Sequence, residues 1–258
     1  MTPPGEQWWS PFRVVGDVSV VHVDLAPDSA REEAAFDWLD LNERDRWHQF
    51  LVDRPRRQFA LCRAALRANL CERLACTNDQ LAFGFLEHGK PFAIVDGTPS
   101  VASFNVSHSG MHGLIAFAPR RQLGVDVEER VARRDLDGIG ETVFGRREQL
   151  ALAKSTGNRK IHLFFTLWTI KEALIKALGT GFSLNPSRFE VPAGMLYGTK
   201  SESFRFPHAP RAQWQIEDLG EPRFAAALAY KLESPGNSAA NRPAKEPVAG
   251  SDSVVEAG

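Results

Sequence analysis

Trp168, Glu172 and Lys176 recur at every fourth position in Trp-Thr-Ile-Lys-Glu-Ala-Leu-Ile-Lys, so on a helix they rise along one face. As a solvated pair, Glu172 and Lys176 would contribute only about 0.3–0.5 kcal/mol; beside a phosphorylated ligand they become a proton acceptor and a cation. Upstream, Gly124-Val125-Asp126-Val127-Glu128 alternates apolar and acidic residues, which in a strand puts the carboxylates of Asp126 and Glu128 on one face. Two bare anions at that spacing repel each other, and a hard divalent metal relieves the repulsion. Mg²⁺ is commonly held by one or two carboxylates together with substrate phosphates, and Glu172 is the candidate third acid. The plainer alternative is an exposed acidic strand edge.

Phe104-Asn105-Val106-Ser107-His108-Ser109-Gly110 ends a strand in polar groups and glycine, so Ser107 and His108 are candidate hydrogen-bond donors to a phosphate, with a satisfied turn histidine as the alternative for His108. A Ser/His nucleophilic dyad is disfavoured there, because neighbours on an extended chain point apart and no nucleophile elbow surrounds them. Lys90 stands alone as a cation in a rigid Gly-Lys-Pro turn, where an ordinary solvated lysine is the competing reading.

These groups need elements to hold them. Leu167, Ile170, Leu174 and Leu178 form the apolar stripe of a helix over residues 160 to 178, with Trp168, Glu172 and Lys176 on roughly the opposite face. An earlier helix opens near Pro55, with a stripe of Phe59, Cys62, Leu66, Leu70 and Leu74. Arg54, Arg56, Arg57, Arg63, Arg67 and Arg73 make it basic, either as a solvated face or to meet an anion. A further helical stretch is expected from Ala34 to Leu51, after a strand within Val14 to Leu25. Strands are expected at 81–85, 102–106 and 113–118, and again at 188–191, 213–217 and 223–231. A helix followed by three strands, twice, reads as an α+β pseudo-twofold single chain of two similar halves. Each half would pack a long helix on a small antiparallel sheet, with the active site in the groove between them. The halves are drawn at 1–118 and 119–233; residues 234–258, rich in Pro, Gly, Ser, Ala and Asn, read as a disordered tail.

The 258 residues, 43% hydrophobic and 24% charged, fit a folded globular body. A formal net charge of −1 gives no general attraction to nucleic acid or membrane, and anion binding must come from local clusters. No run has the length of a membrane span and the first residues lack a secretory signal, so a cytoplasmic protein is expected. Cys62, Cys71 and Cys76 have no zinc spacing and read as reduced thiols.

Taken in order, the Gly-Lys-Pro turn, Phe-Asn-Val-Ser-His-Ser, Gly-Val-Asp-Val-Glu and Trp-Thr-Ile-Lys-Glu-Ala-Leu-Ile-Lys resemble the 4'-phosphopantetheinyl transferases of the larger, surfactin-synthetase-activating (Sfp) type, in their Trp/Lys-Glu-Ala subgroup. The likeness spans residues 89 to 176 by motif and 14 to 232 by layout; each motif is weak alone and the ordered set is specific. It implies a monomer that transfers 4'-phosphopantetheine from coenzyme A to a serine of an apo carrier protein of fatty acid, polyketide or nonribosomal peptide synthesis, releasing adenosine 3',5'-bisphosphate. It further implies Mg²⁺, or Mn²⁺, on Asp126, Glu128 and Glu172. Glu172 would deprotonate the carrier serine directly or through water, and Lys176 would stabilise or protonate the leaving phosphate. Ser107 and His108 would meet the 3'-phosphate region, Lys90 the nucleotide, and Arg44, Arg46 and Arg57 the remaining phosphates.

The chain departs from the pattern in carrying Arg44 and Arg46 where many relatives have lysines. Gln58 stands near a position often basic, with Arg57 as its candidate substitute. An arginine fork grips phosphate differently from a lysine point charge. Phe144 to Glu148 resembles the family's Phe-x-x-x-Glu segment, leaving Glu148 as either a ligand or metal contact or a helix-surface acid. Trp168 would line or buttress the groove. Two rival readings are a catalytically silent homologue that binds carrier protein or coenzyme A, and a small-molecule phosphotransferase or nucleotide hydrolase; no P-loop supports the latter.

Overall fold

Gly16, in the left-handed region at φ 59°, turns β1 (Trp9–Val15), which the sequence does not foresee, back onto β2 (Val18–Asp24), the strand expected within Val14 to Leu25. The computed structural model describes residues 7–131, 135–179 and 184–233; the segment read as a tail, 234–258, lies outside them. β2 pairs antiparallel with β7 (His112–Ala118), and β7 with β6 (Ser103–Ser109), giving a four-stranded sheet in the order β1-β2-β7-β6. Its helices are α1 (Ser29–Trp38), α2 (Leu41–His48) and α3 (Asp53–Leu74). The one helix expected from Ala34 to Leu51 is two, because Asp40 caps a new start. Its carboxylate accepts from Glu43 N at 2.9 Å while the Glu43 carboxylate accepts from Asp40 N at 3.1 Å. A separate small sheet comprises β3 (Leu81–Phe85), β4 (Pro91–Val95) and β5 (Thr98–Pro99), the last two unforeseen.

The second half begins with β8 (Leu123–Glu129), followed by α4 (Leu136–Val143), α5 (Arg146–Ala153) and the 22-residue α6 (Gly157–Leu178). β9 (Ser201–Phe206), β10 (Ala209–Asp218) and β11 (Phe224–Lys231) complete a sheet of order β8-β11-β10-β9. No strand forms at 188–191: Asn185 caps a 3-10 turn over Pro186–Arg188, and the chain passes on to a second turn before β9, which the sequence reading missed. The class is α+β with antiparallel sheets, as expected.

The two four-stranded sheets meet face to face through Val18, Val20 and Leu114 from one and Val125, Val127 and Leu228 from the other, all buried. Each such side chain contributes about 1.5–3 kcal/mol on leaving water. The opposite faces are covered by α3 and α6. β8 and α6 are held unusually close: a β-carbon at Gly124 would lie 2.2 Å from Ala173 O, so only glycine admits this approach. No helix among the described residues is long and apolar enough to cross a membrane.

Candidate active site

The free edge of β6 lies along the free edge of β8, and side chains join them. Asn105 Oδ1 accepts from Val125 N at 2.9 Å, Ser107 Oγ from Val127 N at 3.4 Å and Ser109 Oγ from Glu129 N at 3.2 Å. A period-two row of polar residues on one edge strand thus satisfies the backbone donors of the other, which would otherwise be buried unpaired. The same hydroxyls face the acids: Ser107 Oγ donates to Asp126 Oδ1 at 2.7 Å and Ser109 Oγ to Glu128 Oε2 at 2.7 Å. Asn105 and Ser109 escaped the sequence reading, because their alternation with Val106 and His108 does not show which strand edge they meet.

From α6, Lys176 Nζ reaches Asp126 Oδ1 at 2.6 Å and Ser107 Oγ at 3.0 Å. Asp126 is 4% exposed, and burial pushes its carboxyl up against the opposing pull of Lys176 and Ser107. Glu172 is also pushed up, first by burial and then by Asp126, with Glu128 adding to it. The fold therefore gathers the three predicted acids with Lys176 and Ser107.

Among the described residues no three His, Cys, Asp or Glu side chains are placed to hold a metal ion, Asp126, Glu128 and Glu172 included. The donor set nevertheless suits a hard divalent cation. Asp126 Oδ2 is buried and has no hydrogen-bond partner among those residues, while mutual repulsion already burdens the neighbouring carboxylates.

On the other face of β6, His108 joins Arg46, Phe59, Arg63, Pro91 and Val106 around a cavity of about 190 Å³. Arg46 stacks on Phe59 at 5.2 Å and Arg63 on Phe83 at 4.6 Å, leaving guanidinium groups held by rings. Burial, then the Lys176 charge, lowers His108. Arg63, counted only as part of a basic helix face in the sequence, belongs here, whereas Arg44 and Arg57 do not line this cavity. Arg44 Nε donates to Leu39 O at 3.0 Å and Arg57 Nε to Leu25 O at 3.1 Å. Lys90 Nζ spans Leu123 O at 2.8 Å and Lys176 O at 3.1 Å, and burial drops its ammonium to about 8.

Glu148 is neither a surface acid nor near the groove carboxylates. It is wholly buried and meets Lys171 Nζ at 2.9 Å, while Gly145 N and Val191 N each donate to it at 2.7 Å. Trp168 is half-buried and stacks on Phe164 at 6.1 Å, packing against the α6 core. A larger cavity of about 1070 Å³ opens further along β8 and toward the start of α6, lined among others by Met111, Glu129, Arg130, Ile161, His162 and Arg223.

Residues 25–120 match the profile of the 4'-phosphopantetheinyl transferase N-terminal region, and residues 122–229 that of the 4'-phosphopantetheinyl transferase superfamily. The chain belongs to the 4'-phosphopantetheinyl transferase superfamily. Among named 4'-phosphopantetheinyl transferases, it is 36% identical to psf-1 of Bacillus pumilus over 55% of this chain and 57% of that one. It is 34% identical to gsp of Aneurinibacillus migulanus over 49% and 50%, and 32% identical to HetI of Nostoc sp. over 61% and 66%. The chain thus spans less than two thirds of the length of each of these transferases. The boundary between the two profiles falls in the turn before β8, so the superfamily's two matched regions supply the two facing edges of the site.

Proposed function

We propose that this protein transfers the 4'-phosphopantetheine group of coenzyme A to a serine hydroxyl of an apo carrier protein, leaving adenosine 3',5'-bisphosphate. The observation that carries this reading is the buried Asp126–Ser107–Lys176 cluster beside Glu172, in a chain whose halves match that superfamily.

Arg46, Arg63 and His108, around their cavity, offer cationic and donor groups for the nucleotide phosphates. Arg44, Arg57 and Lys90 remain weaker candidates, since each already serves a backbone carbonyl. Asp126, Glu128 and Glu172 would hold Mg²⁺, or Mn²⁺, which when bound neutralises charge on the diphosphate. Glu172 accepts the serine proton, directly or through a water; burial, then the Asp126 charge, raises its carboxyl from the ordinary value. The serine oxygen forms the new P–O bond as the bond to the departing adenosine phosphate breaks. Lys176 meets the negative charge left behind and can return a proton to it. In-line displacement puts nucleophile and leaving group on opposite sides of phosphorus. With the nucleotide beside His108, the carrier enters from the larger cavity by Arg130 and His162.

The reading extends to the whole chain: a cytoplasmic monomer of halves 1–118 and 119–233, related by a pseudo-twofold. Supporting it, each half packs one 22-residue helix on a four-stranded antiparallel sheet. The test is incubation with coenzyme A, Mg²⁺ and several apo carrier domains, followed by mass spectrometry of the carriers. A carrier that gains the phosphopantetheine mass supports the transfer; unchanged carriers across the panel reject it.

A further inference from the structure

The end of α3 carries two thiols that the active site does not use. The helix stops at Ala75, whose left-handed backbone at φ 50° lets Cys76 N donate to Cys71 O at 3.1 Å. This is the hydrogen-bond pattern of a left-handed helix stop, in which the residues flanking the turn bring their side chains together. Cys71 and Cys76 are accordingly both half-buried against the core under α3, with the Cys76 thiol a neighbour of the Cys71 thiol. The chain beyond Cys76 is pinned as well. Arg67, one turn before Cys71 and 1% exposed, donates to Asn78 Oδ1 at 2.6 Å and to Asn78 O at 2.8 Å. The backbone hydrogen bond from Cys76 to Cys71 keeps the two residues close, as a disulfide, which spans α-carbons about 4.4–6.8 Å apart, requires. The pair is held from both sides.

We propose that Cys71 and Cys76 form a modifiable dithiol that closes to an intrachain disulfide on two-electron oxidation by a peroxide. Cys71 lies in the last turn of the helix, where burial and its neighbour push its thiol up to about 11. Cys76 lies past the helix end, and in the proposed step it meets the peroxide first. Its sulfur gives an electron pair to a peroxide oxygen, the O–O bond breaks, and water leaves a sulfenic acid on Cys76. The Cys71 sulfur then attacks that sulfur; the S–S bond forms, the S–O bond breaks, and the Cys71 proton departs with hydroxide as a second water. Two thiols have lost two protons and two electrons, and the peroxide has been reduced to two waters. Cys62 makes an internal control: it is 4% exposed and burial pushes its thiol up to about 12.

The experiment treats the full-length protein with limiting hydrogen peroxide, blocks free thiols and maps tryptic peptides. Trypsin cuts after Arg73, between the two cysteines, so a disulfide joins two separate peptides. The expected result is that linked pair, dissolved by dithiothreitol, with Cys62 still free. In Cys71→Ser, Cys76 should stop at the sulfenic acid and be trapped by dimedone. Oxygen added separately to Cys71 and Cys76 without linkage, or oxidation of Cys62 ahead of them, would overturn the proposal.

Discussion

At Asp126 one oxygen holds both Ser107 and Lys176 while the other, buried, faces no partner among the described residues. An unpaired buried acceptor costs about 1–3 kcal/mol unless something fills its place. A divalent cation should therefore stabilise the fold itself. Added Mg²⁺ is expected to raise the melting temperature of the wild type in a concentration-dependent way and to leave Asp126→Asn unmoved, read by calorimetry without coenzyme A. An undiminished shift in the variant would move the metal elsewhere. Glu172 has a second duty as proton acceptor, and Glu172→Gln is expected to lose about 10²–10⁴-fold in transfer rate while coenzyme A affinity, measured by titration calorimetry without added metal, stays within a few-fold. If affinity fell as far as rate, Glu172 would be a binding group. These acids and Lys176 could be read from the sequence because their spacing coincides with the period of the element that carries them. Asn105, Ser109 and Arg63 could not: their part depends on β6 meeting β8 and on α2 lying beside α3, contacts that local pattern does not encode.

The same limit operates on whole elements. α3 and α6 were legible to within a few residues because their apolar stripes run for six turns. The division between α1 and α2 was missed although Asp40-x-x-Glu43 is itself the capping pattern, since the Trp and Leu residues around it mimic one longer helix. Lys171 was passed over for the opposite reason. It sits on the buried side of α6 beside Leu167, Ile170 and Leu174, and its charge is taken up by Glu148 and by Pro186 O at 2.8 Å, so α5 and the 186–191 segment are tied to α6. Removing one partner of such a pair leaves a buried charge, and Lys171→Met is expected to cost about 3–5 kcal/mol in urea unfolding. Adding Glu148→Gln should recover more than half of that loss, because the amide carries no charge and still accepts one of the two backbone N–H groups. A double variant no more stable than Lys171→Met would show that the charge pairing is not what matters.

Across the molecule, two sheets share an apolar seam and meet again at the β6–β8 edge, and Lys90 adds a third tie between the halves. Its ammonium leaves the Gly-Lys-Pro turn to bind Leu123 O at the start of β8 and Lys176 O near the end of α6, where the helix dipole favours a cation. Burial nevertheless lowers it from the ordinary 10.5 to about 8. Below about 8 both folded and unfolded chains carry the charge, and the folded state bears the cost of burying it. Between about 8 and 10.5 the unfolded chain keeps a proton that the folded chain has released, so the unfolded state binds more protons and stability rises with pH. Lys90→Met lacks this proton. Urea unfolding of both proteins across that range should show the wild type gaining on the variant as pH rises, while other alkaline titrations cancel in the difference. Parallel profiles would mean that the Lys90 ammonium is solvated, leaving the seam and the β6–β8 edge to hold the halves together.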